Sequence, residues 1–192
     1  MKRNEIIQYL IDKYNYKTYL EIGVGGGKNF NIIKCEAKDG VDPNGNGNFI
    51  MKSDLFFKMT KSNKKWDIIF IDGLHIMDQV DRDIENSLDH LGEGGTIVMH
   101  DCNPKTHKHQ QVPRIQKAWN GTVWKSFVKL RCIRSDLFMC VVDTDHGCGI
   151  IRIGKQKTYT ESLKRCLKYN YFKINKKELL NLISIGEFKR LK

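Results

Sequence analysis

The segment Gly23-Val24-Gly25-Gly26-Gly27 follows directly on Thr18-Tyr19-Leu20-Glu21-Ile22, and this junction restricts the fold more than any other stretch of the chain. A buried strand is expected to run straight into the glycines, with a helix following from about Asn29 to Cys35. Glycine lets the backbone approach a ligand closely, and a helix N-terminus offers unpaired N–H groups. Dinucleotide-binding folds use such a turn too, so by itself it predicts a ligand site without naming the ligand. Two carboxylates narrow the choice. Glu21, before the first glycine, suits a ligand carrying an ammonium group better than a pyrophosphate. Asp42 ends the short strand Gly40-Val41-Asp42, where it can accept from both hydroxyls of a ribose, a feature that points to an adenosine rather than to a whole cofactor. The bland alternative is a glycine turn that only packs helix on strand.

Strands and helices alternate along the rest of the chain, the pattern of a parallel sheet covered by helices. Before the first strand, Ile6, Ile7, Leu10 and Ile11 have amphipathic helical spacing. Pro43 to Gly47 reads as a loop and Ser53 to Met59 as a short connection with a helical turn. Trp66 to Asp72 is apolar enough for a central strand. Met77 to Leu91 is expected as a helix carrying Val80, Ile84, Leu88 and Leu91 on one face. Gly92-Glu93-Gly94-Gly95 would close it and lead into a strand, Thr96 to His100. Cys102 to Gly121 is long, polar and without period; it is expected to be a mobile lid, with Lys105, Lys108, Arg114 and Lys117 suited to phosphate or carboxylate groups. Thr122 caps a helix to about Ile133. Leu137 to Asp143 and Gly149 to Ile153 are too close for a parallel crossover and predict an antiparallel hairpin. The tail, residues 159–192, reads as a helical extension, basic and helical in spacing from Lys176 to Lys192. The whole, residues 1–192, is expected to be one domain.

At 40% hydrophobic and 29% charged residues, the chain has the composition of a globular protein. Its longest apolar run is too short to cross a bilayer, and its first residues lead into an amphipathic stretch, so a cytoplasmic location is expected. None of the six cysteines forms a CxxC pair, which argues against a zinc site or a disulfide framework. The net charge of +11 suggests an anionic partner: nucleic acid, a nucleotide-activated sugar or an anionic glycan.

Glu21-x-Gly23-x-Gly25-x-Gly27, Asp42, and Asp72 at a strand end resemble the ordered motifs of class I methyltransferases. The stretch WDIIFIDGLHIMDQVDRDIENSLDHLGEGGTIVMHDCNP resembles more narrowly methyltransferase family 24, related to the macrocin and catechol O-methyltransferases. The resemblance extends through WNGTVWKSFVKLR, VVDTDHGCGIIRIGK and ELLNLISIGEF. It implies an α/β, Rossmann-like doubly wound sheet of seven strands, the last antiparallel, in the order 3-2-1-4-5-7-6, and S-adenosylmethionine as methyl donor. It further implies that Glu21 and Gly23 hold the methionine end, that Asp42 holds the ribose, and that Asp54 lies near the adenine. For Asp54 a helix N-cap is an equal alternative.

Open α/β sheets bind ligands beyond the carboxyl ends of their strands. There the chain places Asp72-Gly73-Leu74-His75 and His100-Asp101-Cys102-Asn103. Methyl transfer to oxygen needs a hydroxyl held in line and its proton removed, by a His or Asp or with the help of a divalent metal. His75, following Asp72 in an exposed turn, is the preferred base; His100 is the second candidate, with a core histidine as its alternative. The related families hold magnesium with Asp residues matching Asp72 and Asp101. Here His100 or Cys102 stands where one neighbouring ligand is Asp or Asn, which favours manganese if a His takes part.

The resulting expectation is O-methylation of a sugar or related glycan precursor. Nucleic-acid methylation is suggested by the charge but lacks the Asn/Asp-Pro-Pro-aromatic signature. A non-catalytic S-adenosylmethionine-binding module and an NAD oxidoreductase are the remaining alternatives, the latter opposed by Glu21. A homo-oligomer is compatible with this reading.

Overall fold

In a computed structural model that describes residues 1–191, the chain separates into two compact units, residues 1–74 with 78–99, and residues 75–77 with 100–192. Lys192, the last residue of the expected helical extension, lies outside the described residues.

The first unit begins with helix α1 (Arg3–Tyr14), which buries Ile6, Ile7, Leu10 and Ile11 and stops at Asn15 in the left-handed conformation. Strand β1 (Thr18–Ile22) leads through the glycines to helix α2 (Lys28–Ile32), then strand β2 (Ala37–Val41) and helix α3 (Ser53–Met59). Strand β3 (Trp66–Ile71), helix α4 (Met77–Asp89) and strand β4 (Leu91–Met99) complete it. Strand pairing follows the order β2-β1-β3-β4, all parallel. Val41, Ile22, Ile71 and Met99 stand in one row across the four strands.

Burial explains this order. Ile68, Ile69 and Phe70 of β3 are fully buried, as a strand covered on both faces must be. The register of β1 on β3 is pinned at its start by Asp67, whose Oδ2 accepts from the backbone N–H of Lys17 (2.8 Å), that of Thr18 (2.9 Å) and the Thr18 hydroxyl (3.0 Å). At the other end β1 and β3 nearly touch: a Cβ on Gly23, where φ is +87°, would lie 2.4 Å from the Asp72 carbonyl oxygen.

Three expectations need correcting here. The strand expected outside β2 is reduced to one bridge, Val41 to Phe49, because the chain turns there into α3. Helix α4 ends at Asp89, and Leu91 already belongs to β4, opposite Trp66. A register irregularity between Trp66 and Ile68 takes up Gly92 to Gly95 within the strand instead of leaving them as a closing turn.

The second unit carries helix α5 (Val123–Ile133), the strands β5 (Leu137–Val142) and β6 (Cys148–Ile153), helices α6 (Leu163–Cys166) and α7 (Tyr169–Leu179), the two-residue strand β7 (Leu182–Ile183) and helix α8 (Ile185–Arg190). β5 and β6 form the expected antiparallel hairpin, and β7 pairs parallel to β5. Its core includes Trp124 against Phe172, with ring centroids 4.1 Å apart. Lys176 to Lys192 is therefore not one helix: Asn181, at φ +45°, breaks it into α7, β7 and α8. With four strands in one unit and three in the other, the α/β Rossmann-like class stands, and the strand order within each unit is the expected one apart from the missing outer strand and the added β7. No helix among the described residues is long and apolar enough to cross a membrane.

Gly23→Ala should cost about 2–3 kcal/mol in chemical denaturation, since it combines a positive φ with a backbone collision. Gly26→Ala, whose Cβ would meet nothing within 4 Å, is the control and should cost about 1 kcal/mol at most. Equal losses for the two would contradict the close approach.

Candidate functional site

In the first unit, the carboxyl ends of β1, β2 and β3 border a cavity of about 460 Å³. Gly23, Gly25, Asp42 and Asp72 all line it. Asp42 is held by two backbone donors, the Gly25 N–H at Oδ2 and the Asn44 N–H at Oδ1, both at 2.8 Å. Each carboxylate oxygen has two lone pairs, so one acceptor position on each is left for a pair of neighbouring hydroxyls. This is the donor–acceptor arrangement a ribose requires. Gly27, at φ +75°, is the N-cap of α2 and does not line the cavity.

Glu21 is 1% exposed and turns its Oε2 to the Tyr19 hydroxyl and to Asn29 Nδ2 (2.9 Å). Burial pushes its carboxyl up to about 7, against the lowering effect of those two hydrogen bonds. It stands behind the cavity wall rather than in it. Asp54 sits in the first turn of α3, whose N-cap is Lys52, and pairs with Arg82 Nε at 3.2 Å, which holds its carboxyl below the usual range. It does not line the cavity; its neighbour Ser53 does.

Residues not singled out from the sequence contribute to the same wall. Asp83, 1% exposed, accepts from the Ser53 hydroxyl (2.6 Å) and from Gln79 Nε2 (3.1 Å), and burial raises its carboxyl to about 6. A signal for it existed: Asp83 interrupts the apolar stripe of α4 between Val80 and Ile84. Asp72 receives a hydrogen bond from Arg3 Nη1 at 2.7 Å, a pairing across 69 positions that no local pattern announces.

His75, His100 and Asp101 belong to the second unit and come together there. His75 Nδ1 lies 3.3 Å from Asp101 Oδ2 and 3.3 Å from the Trp119 carbonyl oxygen, and its ring stacks on the Trp119 indole with centroids 5.2 Å apart. It is half-buried, not exposed as the sequence suggested. Two oxygen acceptors, a carboxylate and a carbonyl, thus face His75 Nδ1. His100, 3% exposed, brings its Nδ1 to 3.2 Å from the same Asp101 oxygen, while its Nε2 is 3.7 Å from Asp145 Oδ2. Asn120 Nδ2 donates to Asp101 Oδ1 at 2.9 Å. Asp101 itself is held at φ +64°, an uncommon conformation for a non-glycine residue and one met at functional sites.

Residues 102–121 are tied down at both ends within this unit. Cys102 and Asn103 donate to the carbonyls of Gly147 (3.0 Å) and His146 (2.8 Å) in the β5–β6 loop, and the Asn120 N–H donates to the His109 carbonyl at 2.8 Å. A 3-10 turn, His107–Gln110, gives the segment local order. Lys105, Lys108, Arg114 and Lys117 are exposed.

A methyltransferase domain family, methyltransferase family 24, matches residues 45–102. No curated protein matches the sequence. Among solved structures, an O-methyltransferase from Bacillus cereus in complex with SAH is 14% identical over 80% of each chain, with a TM-score of 0.57. TomG, an O-methyltransferase from Streptomyces achromogenes in complex with SAM, is 13% identical over 79% of each chain, also at 0.57. MycE, a methyltransferase from the mycinamycin biosynthetic pathway, is 14% identical over 81% of this chain and 51% of its own, at 0.52. At these identities the likeness to the solved structures is one of fold. The methyltransferase-domain match covers residues 45–102, and the chain shares the fold of these O-methyltransferases.

Proposed function

We propose that the chain methylates a hydroxyl of a sugar or glycan precursor, a small polyhydroxylated and anionic acceptor. The observation that carries this reading is the convergence of His75 and His100 on one oxygen of Asp101. An imidazole oriented by a carboxylate is a group of the kind that takes the proton of an attacking hydroxyl. His100 is the second such group, and Asp101 orients both. When bound, S-adenosylmethionine supplies an electrophilic methyl group. The residues proposed to hold it are Gly23, Gly25, Asp42 and Asp72 at the cavity, with Glu21 behind the wall, Gly27 shaping the turn, and Asp54 beside the lining residue Ser53. The cavity volume and the two acceptor positions left on Asp42 support that assignment.

A divalent cation held by Asp72 and Asp101 is the alternative means of acidifying the hydroxyl. The MycE structure is a complex with Mg, SAH and mycinamycin VI. Two imidazoles, of His75 and His100, stand beside Asp101 of this chain, and a His ligand suits manganese better than magnesium.

Three measurements test the reading. In calorimetry, Asp42→Ala should weaken S-adenosylmethionine or its demethylated product by about 1.5–3 kcal/mol, the worth of hydrogen bonds to a charged group; unchanged affinity would remove Asp42 from the ribose role. Cofactor affinity should rise with pH through about 7, where Glu21 gains its negative charge, and this rise should vanish in Glu21→Gln. The sign follows from the raised carboxyl: below about 7 it is protonated and cannot attract an ammonium group. A flat wild-type profile would leave Glu21 a structural part only.

For the chemistry, transfer of labelled methyl groups to sugar acceptors should fall about 10²–10⁴-fold in His75→Ala, with cofactor binding retained. If the reaction is metal-free, chelator leaves the wild type unaffected and activity drops on the acid side as imidazole protonates. If Asp72 and Asp101 hold a cation, chelator and either Asp→Ala change abolish activity together. Full activity in the Asp72→Ala, Asp101→Ala double variant would sink both versions.

A further inference from the structure

The excess positive charge is confined to one unit. Residues 1–74 and 78–99 hold 13 Lys and Arg against 15 Asp and Glu, a net −2, whereas residues 75–77 and 100–192 hold 20 against 7, a net +13. Within the second unit it is densest from residue 164 to residue 177, with Lys164, Arg165, Lys168, Lys173, Lys176 and Lys177 and no acidic residue between them.

This stretch is α6 and α7. Tyr169, Phe172 and Leu179 turn inward on α7, so Asn170, Lys173, Ile174 and Lys177, spaced three and four apart, form its exposed outer face. Ile174 is 82% exposed. At the start of α7 lies a cleft of about 500 Å³ whose walls include Lys164, Arg165, Lys168, Asn170 and Tyr171. There the Arg165 guanidinium stands over the Tyr171 ring at 4.7 Å while keeping an ion pair with Glu161 at 2.7 Å. At the end of α7 a second cleft, of about 540 Å³, is bordered by Lys176, Lys177 and Asp143. Lys176 Nζ donates to Asn103 Oδ1 at 3.3 Å. The helix between the clefts is about 16 Å long at 1.5 Å per residue.

We infer that α6 and α7 form a binding track for single-stranded RNA. Two cationic clefts linked by a basic helix face match several successive phosphates of a strand better than the one or two of a small ester. An aromatic ring beside a guanidinium and an amide, at the edge of a cation-lined groove, is the combination on which unpaired bases stack. The inference goes beyond the reading of a small acceptor and shares with it only the anionic, sugar-bearing chemistry of the ligand.

The test is fluorescence anisotropy of a labelled single-stranded RNA of about 15 nucleotides on the full chain, without cofactor, between about 50 and 200 mM salt. The wild type should bind with a steep salt dependence. The triple variant Lys168→Ala, Lys173→Ala, Lys177→Ala, at exposed positions, should bind about tenfold more weakly at low salt, with the log–log slope shallower by about 2, roughly 0.7 for each phosphate no longer neutralised. Tyr171→Ala should weaken binding without changing the slope. Lys34→Ala, Lys58→Ala, Lys61→Ala, which removes the same charge from the first unit, should bind like the wild type. No binding by the wild type, or equal slopes for the two triple variants, would overturn the inference. So would displacement of the RNA by a sulfated oligosaccharide of equal charge at equal concentration together with an inert Tyr171→Ala, which would mark a glycan surface instead. Because binding is read without turnover, the two readings fail separately. Loss of RNA binding with methyl transfer to small sugars intact removes only the track, and RNA binding with no transfer to any hydroxyl removes only the O-methylation.

Discussion

Everything in the first unit that could hold a ligand depends on how closely β1 and β3 approach at their carboxyl ends. The Asp72 carbonyl occupies the space that a side chain at residue 23 would need. That close approach does two things at once. It leaves the glycine turn free to bend away at positive φ, opening the cavity, and it sets the backbone from which the Asp72 carboxylate enters the same space. Asp67 fixes the opposite ends of the same two strands through three hydrogen bonds, so the pair is anchored where it starts and compressed where it stops. A ligand site at strand ends needs that rigidity, because the turn itself has little packing of its own: Cβ atoms added at Gly25 or Gly26 would meet nothing.

In the second unit the organising group is Asp101. Its carboxylate faces three side-chain nitrogens, from His75, His100 and Asn120, and its backbone is held in an unusual conformation. A buried carboxylate that several nitrogens face holds the side chains around it in fixed orientations. The β5–β6 loop repeats the device on a small scale: Asp145 and His146 also sit at positive φ, and backbone hydrogen bonds fasten that loop to Cys102 and Asn103. Irregular backbone therefore collects around Asp101, where the unit needs side chains aimed rather than packed.

Much of this was legible in the residues, for local reasons. β1, β3, α4 and the β5–β6 hairpin were readable because burial on one face or two leaves a period in the sequence. The candidate carboxylates and histidines were readable because strand ends in an α/β fold point to one edge. What escaped was set by interactions between residues distant in sequence. Gly92 to Gly95 look like a turn, and only the irregular pairing with β3 draws them into β4. The break at Asn181 is one residue in the left-handed region, which a basic helical pattern conceals. Trp119 and Asn120 lie in a segment without period, and their importance arises from His75 and Asp101 rather than from their neighbours in the chain. Asp83 was visible as a polar interruption of an apolar stripe, a signal that invites inspection whenever it occurs next to a glycine turn.

The bond between Arg3 and Asp72 gives the cavity an occupied acid. Asp72 is not a bare negative charge waiting in a pocket; its Oδ2 already accepts from a guanidinium at the first residue of α1. The pair is partly solvent-accessible, with side chains 30% and 17% exposed, so the arginine has water close by to receive it. A cationic group arriving at Asp72 therefore exchanges with a resident cation, and the net electrostatic gain is the difference between two pairings, not the full attraction of one. Such an exchange moderates affinity while sharpening selectivity, because a neutral ligand has nothing to offer the carboxylate in return. The first turn of α1 thus supplies the cation that neutralises one acid of a cavity whose walls are made by residues far downstream.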